Sequence, residues 1–447
     1  NISLQRTHLN VNIINLKIGF KNKNTKYVDK MQKGLYDDNT NCSLSPGQYN
    51  DVIILERIGN NMKSTNEIYN EKVRRIQSTI RHEEPDTVPV MTLAESWVLG
   101  CAGHKITDVE EDPDLELQCF KKMCQEIYCD MVYTSALTRD ITIYNPMEGS
   151  PYFYSSDGVT VQHKEYVFME ADEYGKLAAD PMKFVLNELY PRMYPALRKS
   201  YPKNLEALKK AFAAYNRYLQ KMMNSAVRLK EDLGMPTIVE GIAISPVDIL
   251  MSYFRGLKNI QCDFRRNPQG IIEAADALIP LVVENIKHGR QSLESDSCFL
   301  IPTLLPTYMS AKQFEKIYWP SFKKMVDQIA ALNGKMLIFM EGSWEHLYEF
   351  VNEIPRNTAI TILEKADIFK AKDLIGKTVT LAGGMPLEQL RYMSRQECLD
   401  HAKKVVDYCA PGGGFIFTND KTALAPNDVN IENLKAVNAF VHEYGKH

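Results

Sequence analysis

The stretch KMLIFMEGSWEHLYEF, Lys335 to Phe350, decides how the chain reads. Five of its first six residues are apolar, with no polar alternation, which is the pattern of a parallel strand covered on both faces. The run then stops on Glu341 and Gly342, and a helical segment from Ser343 to Val351 follows. A buried strand that ends on a carboxylate has two explanations. Either Glu341 caps the next helix, or it stands at the chemically active end of the strand.

Seven similar runs lie on either side: VPVMTLAE from Val88, DMVYTSA from Asp130, PTIVEGIA from Pro236, SCFLIPTL from Ser297, AITILE from Ala359, TVTLAGG from Thr378 and GFIFTND from Gly414. Long helical patterns separate them. From Leu205 to Leu229 the residues Leu208, Phe212, Tyr215, Leu219, Met222, Ala226 and Leu229 step by four and three, and Gly234 follows. Another helix carries Phe314, Ile317, Tyr318, Phe322, Met325 and Ile329, with Pro320 inside it as a predicted kink. Eight strands alternating with helices predict an α/β fold, a single (β/α)8 TIM barrel. The segment Tyr144–Met169, with Asp157-Gly158 at a turn, reads as a β-hairpin inserted after strand 2. A doubly wound sheet is the alternative.

Composition narrows the function. A net charge of -3 and a pI near 6.4 provide no basic field for a phosphate backbone, which excludes nucleic acid as an expected partner. No apolar run approaches the roughly 20 residues of a membrane span, so the expected location is cytoplasmic. Nine cysteines without a CxxC pair fit reduced thiols. Cys119, Cys124 and Cys129 are spaced by five, which would turn each away from the last on a helix.

The first 61 residues differ in texture: eleven are asparagine and none is alanine or tryptophan. They read as a poorly ordered N-terminal extension, such as a translated upstream region or an appended sequence, with 62–447 as the barrel. Lysines and Arg6 with no acid before Asp29 leave an organelle transit segment as a further reading. A helical pattern with Ile68, Val73, Ile76 and Ile80 begins just after Met62 and stops before Pro85.

Chemistry in such barrels sits where strands end. The ends here are Glu95, Thr134 with Ser135, Glu240, Thr303, Glu341, Glu364, Gly383 with Gly384, and Asn419 with Asp420. Converging carboxylates repel, and a shared proton, a cation or basic neighbours relieve them. For one glutamate, capping is the plainer account; for four together, a site is. Glu341, Glu240 and Glu364 are therefore the expected catalytic residues, with Glu341 also a candidate metal ligand. Glu95, His163, Thr303, Asn419 and Asp420 are the expected substrate contacts. His104 reads as a surface-loop residue and His346 as structural. No phosphate loop, dinucleotide fingerprint, HExxH or GxSxG is present, and Gly412 to Gly414 precede a strand and read as a turn.

Several stretches carry a resemblance: EEPDTVPV, YFRGLKNIQCDFRRNPQGIIE, TYMSAKQFEKIYWPSFKKM, GKTVTLAGGMPLEQL, and GGGFIFTND followed by APNDVNIENLKAVNAFVHEYG. From about Met62 onward the chain resembles the uroporphyrinogen decarboxylase superfamily, single (β/α)8 barrels that include haem-pathway decarboxylases and cobalamin-dependent methyltransferases. The decarboxylases meet a carboxylate-rimmed tetrapyrrole with arginines in the loop after strand 1. That loop is AESWVLGCAGHKITD here, and no arginine occurs from His82 to Thr138. Lys421 also stands near the position of a family histidine.

The thiol-methylating members hold zinc with a His-x-Cys-Gly after the fifth strand and a later cysteine. Phe339-Met340-Glu341-Gly342 occupies that place here, and residues Asn419 to Thr422 that of the later cysteine. An oxygen donor makes a harder, more acidic metal than thiolate does. The resemblance with this departure implies a corrinoid-dependent methyltransferase, the demethylase component, moving a methyl group from a small compound such as an aryl methyl ether to the corrinoid of a separate protein. It implies zinc or another divalent metal on oxygen ligands, or a proton donor, at Glu341. Asp367, Lys370 and Lys372 would shape the loop after strand 6, and the barrel could pair as a homodimer. The alternatives are uroporphyrinogen-type decarboxylation and a non-catalytic barrel that docks a corrinoid protein.

Overall fold

The computed structural model describes residues 56–58, 61–112, 114–289 and 297–446. The expectation for residues 1–61 lies almost wholly outside them; β1 (Glu56–Ile58) pairs antiparallel with β2 (Asn61–Lys63). Helix α1 (Thr65–Ile80) begins at a reciprocal cap. The Glu67 N–H donates to Ser64 Oγ (3.3 Å) and the Ser64 N–H to Glu67 Oε2 (2.8 Å), which satisfies two N–H groups.

All eight expected strands form. β3 (Met91–Thr92) and β4 (Met131–Val132) pair in parallel. β5 (Tyr152–Tyr154) and β6 (Val161–His163) make an antiparallel hairpin next in the chain. β7 (Val239–Ile242), β8 (Cys298–Thr303), β9 (Lys335–Met340), β10 (Ala359–Leu363), β11 (Thr380–Met385) and β12 (Phe415–Asn419) then form one parallel sheet in sequence order. The β3–β4 pair meets both of its edges. Phe417 donates to the Pro89 carbonyl (2.9 Å) on the β12 side, and Val132 to that of Pro236 (3.0 Å) on the β7 side.

Strand β9 explains the unbroken apolar run. Leu337 and Phe339 join an inner cluster to which all eight parallel strand segments contribute, closed at one end by Ile76 and Ile80 of α1. Met336, Ile338 and Met340 point the other way, into a larger cluster under the helices. Both faces are buried, so neither can be polar.

The helices follow the predicted stripes, with two refinements. Helix α2 (Lys203–Leu233) runs past the expected end at Leu229 until Gly234, whose left-handed φ of 60° lets its N–H donate to the Lys230 carbonyl (2.9 Å). Pro320 does lie inside a continuous helical stretch; residues Phe314–Tyr318 widen to a π-turn immediately before α3 (Trp319–Ala331), which is where the proline's missing N–H is accommodated. Helices α4 (Ile368–Ile375) and α5 (Ile431–Tyr444) complete the elements that bear on the site. No described helix is long and apolar enough to cross a membrane. The described cysteines are all free thiols.

A buried ion pair ties α1 to the first two parallel strands. Arg75 pairs with the fully buried Asp130 and with Asp86 (2.6 Å), while Asp130 accepts from the Val90 N–H (2.8 Å) and Tyr128 hydroxyl (2.9 Å). Removing one partner strands the other charge in low dielectric. Arg75→Met should therefore cost about 3–5 kcal/mol, read as a lower urea midpoint.

Candidate active site

Glu341 leaves β9 through a tight turn in which its N–H donates to the Phe339 carbonyl (3.1 Å). Gly342 follows at φ 72°, and a Cβ there would collide with the Thr307 side chain. Its N–H donates to Glu364 Oε2 (2.7 Å), and the Ser343 N–H to Thr307 Oγ1 (3.2 Å). The backbone is thus committed to loop contacts. The next helical turn starts only at Glu345, so Glu341 caps no helix.

The side chain instead enters a cavity of about 350 Å³. Glu95, Glu341 and Glu364 line it with Arg139, Asp140 and Lys421. Tyr133, Tyr144, Tyr152, Tyr253 and Phe339 form aromatic walls, and Ile242, Ile244 and Leu300 add apolar surface. The Tyr152 and Tyr253 hydroxyls lie 3.2 Å apart, and the hairpin carries Tyr152 to this place.

Most charges here are matched by the protein. Glu95 Oε1 accepts from the Thr138 N–H (2.8 Å) and hydroxyl (2.7 Å). Asp140 accepts from the Thr142 N–H (2.9 Å) and hydroxyl (2.5 Å). Lys421 lies 3.9 Å from Glu388. Two groups differ: among the described residues, the side chains of Glu341 and Arg139 have no hydrogen-bond or ion-pair partner. Arg139 rests against the Tyr152 ring, 5.5 Å from its centroid.

Burial, then the charges of Asp248 and Glu364, push the Glu341 carboxyl up to about 7, against a smaller opposing pull from Arg139. Asp248 is buried and raised in turn by burial. It accepts from the Tyr318 hydroxyl (2.6 Å), Ser245 Oγ (2.7 Å) and the Leu305 N–H (3.1 Å). Near neutrality Glu341 therefore exchanges a proton while the carboxylates around it keep other partners.

The other expected site residues divide. Glu95 and Glu364 line the cavity with Glu341, whereas Glu240 sits at the irregularity of β7 between Val239 and Gly241 and does not line it. Thr303 is fully buried and donates to the Phe339 carbonyl (2.6 Å), a contact between strands. Asn419 accepts from the Leu93 N–H (3.1 Å) and donates to the carbonyls of Leu93 (2.9 Å) and Lys421 (2.6 Å), so it joins β12 to the segment after β3. Asp420 lines a neighbouring cavity of about 250 Å³ that shares Glu364, and it accepts from the Leu387 N–H (3.0 Å).

His163 stands behind the aromatic wall, its ring 5.3 Å from Tyr152 and 6.3 Å from Tyr253. His104 lies 3.8 Å from Asp108, and His346 bonds the Met309 carbonyl (2.9 Å). Asp367 caps α4 by accepting from the Phe369 and Lys370 N–H groups (2.9 and 3.2 Å). Lys370 pairs with Glu345 (2.7 Å), and Lys372 donates to the Gly413 carbonyl (2.9 Å).

Among the described residues no three His, Cys, Asp or Glu side chains are placed to share a metal ion, and the Asp248 oxygens already accept three protein donors. Sequence reasoning missed Arg139, Asp248, Lys421 as a cavity residue, and the tyrosine walls. Arg139 had a legible signal: it lies one residue beyond the arginine-free stretch, just after the second strand.

The family model for uroporphyrinogen decarboxylase (URO-D) matches residues 182–444. No curated protein matches the chain. Among solved structures the fold is similar to that of a methyltransferase from Methanosarcina mazei, with a TM-score of 0.55 and 15% identity over 83% of this chain and 98% of that one.

Two measurements check the site. Asn419→Ala removes three hydrogen bonds to backbone at a buried junction and should cost about 2–3 kcal/mol in denaturant unfolding. The raised Glu341 carboxyl means that the folded protein holds an extra proton between the ordinary value near 4.5 and about 7. The stabilisation that comes with that proton is complete below 4.5 and lost as pH rises through 7. Glu341→Gln should therefore be more stable than wild type at pH 8, by on the order of 1–2 kcal/mol after discounting for water in the cavity, with the gap closing at pH 5.

Proposed function

The chain belongs to the uroporphyrinogen decarboxylase family, and on that premise we propose that it is a cytoplasmic methyltransferase, taking a methyl group from a small O-methyl compound for the corrinoid of a partner protein. The β3–β4 bridges at both sheet edges and the shared inner cluster support a closed (β/α)8 barrel with the β5–β6 hairpin inserted beside its mouth. The likeness in fold to a methyltransferase fits this reading.

The observation that carries it is Glu341, a carboxyl raised to about 7 inside an aromatic cavity. Cleaving a methyl–oxygen bond leaves an alkoxide or phenolate, a poor leaving group unless it is protonated as it departs. The corrinoid on the partner supplies the nucleophile that accepts the methyl group. Glu341 delivers its proton to the departing oxygen, and the resulting carboxylate lies within the field of Arg139. Glu364, anchored by the Gly342 N–H, holds the turn that aims Glu341. The tyrosine walls orient a planar substrate and restrict water.

An observation favours a second reading. Arg139 and Lys421 in the same cavity suit a carboxylate, and a protonated Glu341 suits the carbanion left when carbon dioxide departs. Uroporphyrinogen-type decarboxylation, of a tetrapyrrole or another acid, is therefore the alternative. A barrel that only docks a partner would have glutamates neutralised by lysines; among the described residues neither Glu341 nor Glu364 has such a pair.

Glu341→Gln should lower methyl transfer to cob(I)alamin by roughly 100-fold or more without lowering the melting temperature. Wild-type activity should fall as pH rises through about 7, where the proton is lost. Full activity in the mutant would remove Glu341 from the mechanism; carbon dioxide released from uroporphyrinogen would favour the second reading.

A further inference from the structure

We infer that Cys124 and Cys129 form a reversible thiol–disulfide site, in which Cys124 exchanges with a small-molecule disulfide and Cys129 resolves the product into an internal bond. The site is separate from the methyl-transfer reading above. Cys129 precedes β4 and the cavity residue Tyr133 follows it, so the pair lies at the opposite end of that strand from the cavity.

On one continuous helix, residues five apart point about 140° away from each other. The chain escapes that constraint between these two. The helix Leu115–Glu126 ends after Cys124, and Ile127 is extended, at φ -119° and ψ 118°. Cys129 thereby folds back, and the two thiols share a hydrogen bond. Cys124 is partly exposed, whereas Cys129 is only 1% exposed and has Met235 Sδ 3.9 Å from its Sγ. An accessible sulfur thus stands in front of a buried one.

The surroundings are built for a thiolate on the inner sulfur. Lys72 of α1 is nine-tenths buried, and its charge acts on both sulfurs. Among the described residues no acid pairs with it, and Asp130, next to Cys129, is taken by Arg75. A buried ammonium is costly unless an anion answers it. The hydrogen bond with Cys124, then Lys72 and Thr92, hold the Cys129 thiol below its usual range against burial and the charge of Asp130. The same hydrogen bond, with burial, pushes Cys124 up, so the shared proton rests on Cys124.

The exchange then balances. Cys129 takes the Cys124 proton as the Cys124 sulfur attacks the small disulfide, and one small thiolate leaves. Cys129 releases that proton to solvent, its thiolate held by Lys72, and attacks Cys124 Sγ, and the second small thiolate leaves. The pair is oxidised by two electrons, the small disulfide is reduced to two thiols, and those thiols carry off the two protons.

The test incubates the full chain with glutathione disulfide, alkylates the remaining thiols and digests with trypsin. Both cysteines fall on the single fragment Met123–Arg139. It should appear unalkylated and lighter by two hydrogens, while the exposed Cys101 and Cys262 carry glutathione instead. Lys72→Met should slow formation of the internal bond by roughly 10-fold. Cys129→Ser, which leaves Lys72 in place, should trap glutathione on Cys124. A native fragment that takes up two alkyl groups at every glutathione disulfide concentration overturns the site. So does a rate indifferent to Lys72, or a Cys129→Ser variant whose Cys124 stays unmodified.

Discussion

A parallel strand covered on both faces has no place for a charged side chain along its length. Its first carboxylate must come where the backbone leaves the sheet. In β9 that constraint puts Glu341 one residue past Met340, with Gly342 turning the chain at once against Thr307. The consequences for the site follow from the turn. It aims the carboxyl into the cavity and gives Glu364 a backbone N–H to hold. Among the described residues the Glu341 carboxyl has no hydrogen-bond donor, so burial acts on it unopposed by one. A carboxylate that accepted two N–H groups in that position would stay ionised and would have no proton to give.

The electrostatics depend on which groups are already satisfied rather than on how many there are. Counting charges around the cavity suggests a site too acidic for an anion. Counting partners reverses the impression. Glu95, Glu364 and Asp140 each accept hydrogen bonds from fixed protein donors, which lowers the cost of their charge and the field they offer a ligand. Arg139 keeps its donors, and Glu341 its proton. Asp248 contributes from behind: three donors hold it, yet its proximity discourages ionisation of Glu341.

The strands, the stripe of α2 and the placement of Glu341 were legible because each leaves a periodic or positional trace in the sequence. Thr303 and Asn419 line neither of the two cavities for one reason: position at a strand end says nothing of which neighbour a polar side chain will bond. Thr303 turns to the Phe339 carbonyl, and Asn419 reaches the backbone of Leu93, 326 residues away in the chain. Glu240 was misplaced by an irregularity in β7, which breaks the alternation that a strand pattern assumes. Asp248 stands in the single turn of helix Pro246–Ile249, and the tyrosine walls come from the residue after β4, two short helical segments and the hairpin, elements too short for a period to mark the residues that converge.

The comparison at position 341 gains a physical meaning from this geometry. The resemblance implies that thiol-methylating relatives place a metal-binding cysteine there, and a thiolate in that role must be deprotonated to bind. Glu341 is in the opposite condition, its charge opposed by burial and by two acids. Under the proposed chemistry both arrangements answer one demand, stabilising negative charge on the atom that exchanges the methyl group. A metal meets that demand as a Lewis acid, and a raised carboxyl meets it by giving up a proton. The exchange fits the substrates as well: a thiol is acidic enough for metal binding to ionise it near neutrality, whereas an ether oxygen carries no proton to lose and must receive one before it can leave.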